Sequence, residues 1–244
     1  MQHKYHVQWH FYTKQGKKVS LSIVIPVLDE AQGLADFLMR LQGLRQQGVE
    51  IIVVDGESQD NSAAIARQWG AQVLRCPAGR SRQMNAGANQ ANGDILLFLH
   101  ADSQLPDDAI VLSLPERLQA RGLQWGFFAV RIHGRSRLLP VVATLISWRS
   151  RLSHVATGDQ AIFIQQALFA QLGGFPALPL MEDVALCKQL RHHSPPLALR
   201  QKVTTSGRRW EKHGIWQTIF LMWRLRWAFW RGTPATELAK RYHY

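Results

Sequence analysis

Between residues 21 and 102 the chain switches repeatedly between short apolar runs and segments of helical spacing. "LSIVIPVL" (21–28), "EIIVVDG" (50–56), "AQVLRC" (71–76) and "DILLFLHAD" (94–102) have the length of strands. Apolar runs without polar alternation suit strands buried on both faces, as in parallel sheets, whose neighbours must be joined by crossover helices. The intervening segments supply those helices. In "AQGLADFLMRLQGLRQQ" Leu34, Phe37, Leu38, Leu41 and Leu44 recur at the spacing of one helix face. Residues 61–69 and 79–91 read as two more helices. The pattern predicts an α/β fold with a mostly parallel central sheet flanked by helices.

After residue 105 the alternation loosens. Strands are expected over 125–133, 159–164 and 197–205, and helices over 138–151, 182–193 and 214–231. No low-complexity linker or repeat intervenes. We therefore read a single domain over 20–242, made of a first half (20–105), a second half (106–212) and a C-terminal helical segment (213–242). A polar tail over 1–19, open to disorder, precedes it.

Lysine and arginine total 29 against 17 acids, a net charge of +12, which favours an anionic partner such as a nucleotide, a nucleic acid or a membrane surface. Cys76 and Cys187 form no disulfide framework and no C-x-x-C pair, so a reducing, cytoplasmic setting is the expectation. The first twenty residues lack the apolar core of a signal peptide. No stretch reaches the ~18 apolar residues of a membrane span.

Open parallel sheets bind ligands beyond the carboxyl ends of their strands. Here that edge is polar. The first strand ends in Asp29 and Glu30, the second in "DGESQD" with Asp55, and the fourth in His100 and Asp102. Any one of these acids could be a turn or cap residue. Gathered on one edge, they repel unless a cation or a hydrogen-bonding base lies between them. Asp55 and Asp102 are expected on adjacent strands. "AGRSRQMNAGA" (78–88) adds counter-charge: Gly79 admits a close backbone approach, and Arg80 and Arg82 carry forked donors for phosphate. Neither a P-loop nor a G-x-G-x-x-G fingerprint is present.

Taken in order, "SIVIPVLDEAQGL", "IIVVDGESQDNS", "GRSRQMNAGA", "ILLFLHADSQLP", "GDQAIFI" and "GGFPALPLMEDVALCKQLR" resemble the family 2 glycosyltransferases of GT-A fold, and within them the radical-SAM/selenodomain-associated branch. The resemblance covers about residues 20–242. It implies an inverting, metal-assisted transfer of sugar from a UDP- or GDP-linked donor, bound by the first half, to a hydroxyl acceptor, one class being lipid-linked, bound by the second. By resemblance, Pro26, Asp29 and Glu30 form the first nucleotide loop and Asp55 holds the base. Asp102 is the last Asp of D-x-D, which binds Mn²⁺ or Mg²⁺, and Asp183 in "MEDV" is the catalytic base, with Glu182 beside it. The sequence departs from D-x-D at His100. A neutral imidazole can ligate the metal or hydrogen-bond ribose or phosphate.

Asp159 and Gln160 in "TGDQAIF" suit a hydroxyl-rich acceptor or a turn. "TTSGRRWEKHG" (204–214) is expected as a flexible lid bringing Arg208, Arg209 and Trp210 over diphosphate, or as a basic surface loop. Two rival readings stay open. A nucleotidyltransferase would carry a Gly-rich basic loop after strand one, where this chain has acidic "PVLDEAQG". A non-enzymatic basic protein would bind a bilayer; nucleic acid is not expected, since acidic strand ends would repel it and no nucleic-acid motif occurs.

"GIWQTIFLMWRLRWAFWRG" (214–232) places Trp216, Ile219, Phe220, Trp223, Trp227 and Trp230 on one broad helical face. That face either packs on the sheet or lies at a membrane interface as a weak, salt-sensitive attachment.

Overall fold

The computed structural model describes residues 19–242, so the tail expected over 1–19 lies, apart from Val19, outside the described residues. Strands β1 (Leu21–Val27), β2 (Glu50–Asp55), β3 (Gln72–Arg75) and β4 (Ile95–Phe98) are joined by helices α1 (Ala31–Arg40), α2 (Gln42–Gln46), α3 (Ser62–Gln68) and α4 (Arg80–Gln90). The expected long first helix breaks at Leu41, whose N–H closes α1 on the Leu38 carbonyl (3.1 Å). Short helices α5 (Asp108–Leu112) and α6 (Leu114–Ala120) lead to β5 (Trp125–His133) and α7 (Leu139–Ser153). Then come β6 (Phe163–Gln165), α8 (Gln166–Gln171), α9 (Glu182–Leu190) and β7 (Leu197–Ser206). Helices α10 (Arg208–His213), α11 (Ile215–Trp230) and α12 (Ala235–Tyr242) complete the described chain.

All seven strands form one sheet in the order β3-β2-β1-β4-β6-β5-β7. β1 pairs in parallel with β2 and β4, β2 with β3, and β5 with β7; β6 runs antiparallel to β4 and β5. The mostly parallel sheet is thus as expected, but β2 and β4 are not neighbours. The chain returns after β3 to the far side of β1, so β1 separates Asp55 from Asp102. Apolar runs reveal strands but not the side on which a crossover lands.

Strand periodicity divides the core. Ile23 and Ile25 of β1 pack with Leu34, Phe37 and Leu38 of α1 on one face of the sheet. Val24 packs on the other with Met84 and Ala88 of α4, Cys187 of α9 and Leu225 of α11. At Gly87 a Cβ would stand 2.4 Å from Val24 Cγ1, so α4 sits closer to the sheet than any side chain would allow. Gly79, with φ 142°, turns the chain into α4. Pro26 lacks an N–H, and it falls beyond Val24, where pairing with β4 has stopped.

β4 ends at Phe98 rather than running to Asp102. The N–H of Leu99 reaches Val24 O (3.0 Å), and Ser103 N–H then closes a tight turn on His100 O (3.0 Å). Gln104 next bridges to Thr204 of β7. His100 and Asp102 therefore belong to a turn. The long helix α11 also departs from one expectation: its tryptophan face is not core. Trp216, Phe220, Trp223, Trp227 and Trp230 are exposed, while Thr218 and Leu225 are buried.

Candidate active site

The loops after β1 and β2 are laced to each other. Asp29 adopts φ 53°; its N–H donates to Ser58 Oγ (3.0 Å) and its Oδ1 accepts the Gln59 N–H (2.8 Å). Ser62 Oγ accepts the Glu30 N–H (2.9 Å), and Asp60 accepts the N–H groups of Ala31 and Ser62 (both 2.9 Å). Asp55 is fully buried at the end of β2. It accepts Arg75 Nε (3.2 Å) and the Ser58 N–H (3.3 Å). From α4, buried Gln83 donates its amide to Val27 O and Val54 O (both 2.8 Å), fixing the ends of β1 and β2 to one helix. Nothing in the spacing of "GRSRQMNAGA" marks Gln83 as that tether.

Beside these loops lies a cleft of about 430 Å³, lined by Asp29, Glu30, Asp102, Ser103, Gln104 and Arg208 among others. Asp102 is exposed in its turn. The Glu30 carboxyl is raised above its ordinary value by burial and by the nearby Asp102, with Arg208 acting against them. Two carboxylates that disfavour each other's charge, facing an arginine, suit a cation together with an anion.

His100 turns away from that cleft. Its Nδ1 lies 3.4 Å from Asp159 Oδ1, and its ring lines a crevice of only about 10 Å³, room for about one water, with Arg80, Met84, Gly158, Glu182 and Asp183. Asp183 sits in the first turn of α9, where the helix dipole favours negative charge. Its Oδ2 accepts the Gly158 N–H (2.7 Å) and its Oδ1 the Val184 N–H (2.7 Å). Gly158 also touches His100: a Cβ there would come within 2.7 Å of the ring. Glu182 is buried, and its carboxyl is raised by that burial and then by Asp183, against the pull of Arg80. Arg80 is exposed as a residue, but its guanidinium lies among Glu182, Asp159 and Asp183, whose charges outweigh its desolvation. The Asp159 side chain is 55% exposed; the desolvation it does suffer is outweighed by the hydrogen bond and charge of His100, followed by Arg80 and Arg209, which bring it below its ordinary value.

Several sequence-derived candidates stand elsewhere. Gln160, expected at a strand start, is buried in a 3₁₀ turn over 158–160. Its Oε1 accepts from Ser150 Oγ (2.7 Å) and its Nε2 donates to Phe128 O (3.1 Å), so its amide is spent inside the fold. The expected lid is the end of β7 followed by α10. Arg208 reaches the larger cleft, but the Arg209 guanidinium stacks 3.5 Å from the Tyr242 ring centroid, and Trp210 packs against the cluster of Val130, Ile132 and Leu139. Arg82 is exposed beside Gly79. Among the described residues no three of His, Cys, Asp and Glu cluster as a metal cage. One or two carboxylates suffice, however, for an ion that keeps waters and takes its other ligands from phosphate, and exposed Asp102 with Glu30 fits that mode.

Residues 22–123 match the family model of glycosyl transferase family 2. A 4,4'-diaponeurosporenoate glycosyltransferase from Staphylococcus haemolyticus is 36% identical over 118 residues, 43% of this chain and 30% of that protein. An undecaprenyl-phosphate 4-deoxy-4-formamido-L-arabinose transferase from Proteus mirabilis is 36% identical over 101 residues, 37% of this chain and 31% of that protein. The chain thus spans about a third of the length of these two relatives. Glucosyl-3-phosphoglycerate synthase from Mycobacterium tuberculosis, solved with Mn²⁺, UDP and glucosyl-3-phosphoglycerate, superposes with TM-score 0.57 at 21% identity, covering 77% of this chain and 70% of that one. A mannosyltransferase from Pyrobaculum calidifontis, solved with GDP-Man and Mn²⁺, gives TM-score 0.59 at 17% identity, covering 85% and 60%. The match to glycosyl transferase family 2 thus covers residues 22–123, less than half of the chain, on a GT-A fold shared with these solved structures.

Proposed function

We propose that the chain transfers a sugar from a UDP- or GDP-linked donor to a hydroxyl acceptor, with inversion. The observation that carries this reading is the placement of Asp183. It lies at a helix start, held by the Gly158 N–H in a pocket with His100 and Arg80, and it comes from a different part of the chain than the acids of the larger cleft. The diphosphate would lie along the cleft of Asp29, Glu30, Asp102 and Arg208, and the sugar would extend toward His100. The acceptor oxygen forms its bond to the anomeric carbon as the bond from that carbon to the phosphate oxygen breaks. The acceptor's proton goes to Asp183, and the diphosphate leaves. Arg208 and Arg80 offset the charge that develops on the leaving group.

Asp102, supported by Glu30, would hold a divalent cation, which when bound supplies further charge for the diphosphate. Support for the metal comes from exposed Asp102 beside half-buried Glu30 and from Mn²⁺ in related folds. We place the acceptor hydroxyl on a lipid-linked molecule; the undecaprenyl-phosphate transferase among the relatives supports the lipid carrier and not the acceptor atom, since a phosphate oxygen would have no proton to give to Asp183. The order and spacing of the six stretches from "SIVIPVLDEAQGL" to "GGFPALPLMEDVALCKQLR" support the radical-SAM/selenodomain-associated branch, and the cysteine usage a cytoplasmic setting.

The test is a calorimetric screen of UDP and GDP with and without Mn²⁺, followed by product analysis with a panel of sugar nucleotides. Tighter binding of one nucleotide with Mn²⁺ and formation of a glycosylated product are expected. Absence of any nucleotide binding would refute the proposal.

A further inference from the structure

Two helices expose apolar stripes of identical spacing. On α7 the residues are Val141, Leu145, Trp148 and Leu152, at i, i+4, i+7 and i+11. On α11 they are Trp216, Phe220, Trp223 and Trp227 at the same spacing, with Trp230 three residues on. Trp148 is 62% exposed, Leu152 66%, and Trp223 and Trp230 72% each. Single exposed apolar side chains are ordinary; two aligned stripes of large ones are not. The helices are neighbours, because Leu139, Val142 and Ile146 of α7 and Ile215 and Ile219 of α11 pack into one cluster over β5. Their opposite sides are thus occupied, which turns both stripes outward.

Along the two helices themselves the charge has one sign. Residues 117–158 contain no Asp or Glu, and neither do residues 212–236. Arg137 stands exposed at the start of the first stripe, and Arg224 and Arg231 stand exposed beside the second, whereas Arg149 and Arg226 turn inward toward Asp183. The Arg231 guanidinium lies 4.9 Å from the Trp227 ring centroid, so charge and ring share one edge.

We propose that the α7–α11 face docks this protein on the surface of an anionic phospholipid bilayer. The tryptophan and leucine side chains enter the interfacial layer, and the arginines meet lipid phosphates. Charge complementarity selects this occupant. A second copy, joined face to face, would set arginines against arginines with no acid on either helix to separate them. No described helix is long and apolar enough to cross a membrane, so the attachment is peripheral. The inference rests on the face alone and holds whatever reaction the cleft performs.

The test uses the full chain with vesicles of phosphatidylglycerol and phosphatidylcholine, against vesicles of phosphatidylcholine alone. Co-sedimentation with the anionic vesicles at low salt is expected, weakening as salt screens the arginines. Tryptophan emission should shift to the blue and be quenched by brominated lipid. The double variant Trp223→Ala/Trp227→Ala should partition at least roughly tenfold more weakly, given the apolar area it removes. Because both side chains are exposed, its melting temperature should match the wild type. Leu145→Ala/Trp148→Ala, on the other helix, should show a comparable loss. Wild-type protein left in the supernatant at low salt overturns the proposal, as does equal binding to both vesicle types or unchanged binding by both variants. A wild-type dimer in light scattering that both variants dissociate would assign the face to self-association instead.

Discussion

Replacing Asp183 with Asn separates the chemistry of this residue from its structural work. Asp183 accepts two backbone N–H groups, from Gly158 and Val184, each at 2.7 Å on a different oxygen. An asparagine keeps one acceptor oxygen and must turn its NH₂ toward the other N–H. One charge-assisted hydrogen bond is lost, worth about 1.5–3 kcal/mol at most, and nearer 1 kcal/mol because the side chain is only half-buried and water can substitute. For a chain of this size that lowers the melting temperature by about 2–4 °C. Loss of a general base costs about 10²–10⁴ in turnover, or roughly 3–5 kcal/mol of barrier. The two effects differ enough to be told apart. Initial rates with an identified donor and acceptor, nucleotide affinity by calorimetry and a thermal melt give all three numbers. Turnover should collapse, with nucleotide affinity held and the melt barely moved. Glu182→Gln is the control, since Glu182 is buried beside Asp183. If Asp183→Asn stays within about tenfold of wild type while Glu182→Gln is dead, the base has been assigned to the wrong carboxylate.

The remaining predictions concern the neighbours of Asp183 and the larger cleft. Glu182 is raised above its ordinary 4.5 by burial and then by Asp183, so its stabilising contribution is full below that value and is lost as pH rises through the folded-state value. Glu182→Gln should therefore melt higher than wild type at neutral pH, and that advantage should vanish in acid; a pH-independent difference would contradict the argument. Gly158→Ala places a Cβ within 2.7 Å of the His100 ring and should cost about 10² in turnover through misplacement of that ring, with nucleotide affinity kept; normal turnover would show that the contact is immaterial. Asp102→Ala should remove the Mn²⁺ stimulation of nucleoside diphosphate binding, and persistence of that stimulation would place the metal elsewhere.

The strands of the first half were legible because burial on both sides leaves long apolar runs, as in "EIIVVD". Where β4 stops was not. Leu99 continues the run, and the strand ends because Ser103 turns back on His100 and Gln104 finds Thr204, contacts made far along the chain. Strand order was hidden for the same reason. The acids at the strand ends were visible as a group, but their sorting was not: Asp102 lines one cleft and His100 another. Gly158 touches both His100 and Asp183, yet a glycine before Asp159 in "TGDQ" reads as an ordinary turn residue. Gln160 looked like a ligand because it is polar, and only the structure shows Ser150 and Phe128 using it. Periodicity found the tryptophan face of α11, yet spacing alone says nothing about what lies opposite. The matching stripe on α7 escaped notice because leucine and valine there look like ordinary core.

The position of β4 in the sheet bears on how the chain emerges during synthesis. β4 is an inner strand of four buried residues, flanked by β1 on one side and β6 on the other. β1 is made before it, but Phe163–Gln165 of β6 come only after β5 and the whole of α7. Until then the nascent chain carries an apolar strand with an open hydrogen-bonding edge, which can add strands from other chains. That edge closes in the same step that brings the 158–160 turn beside His100. A chain that halts before β6 is therefore both sticky and catalytically incomplete.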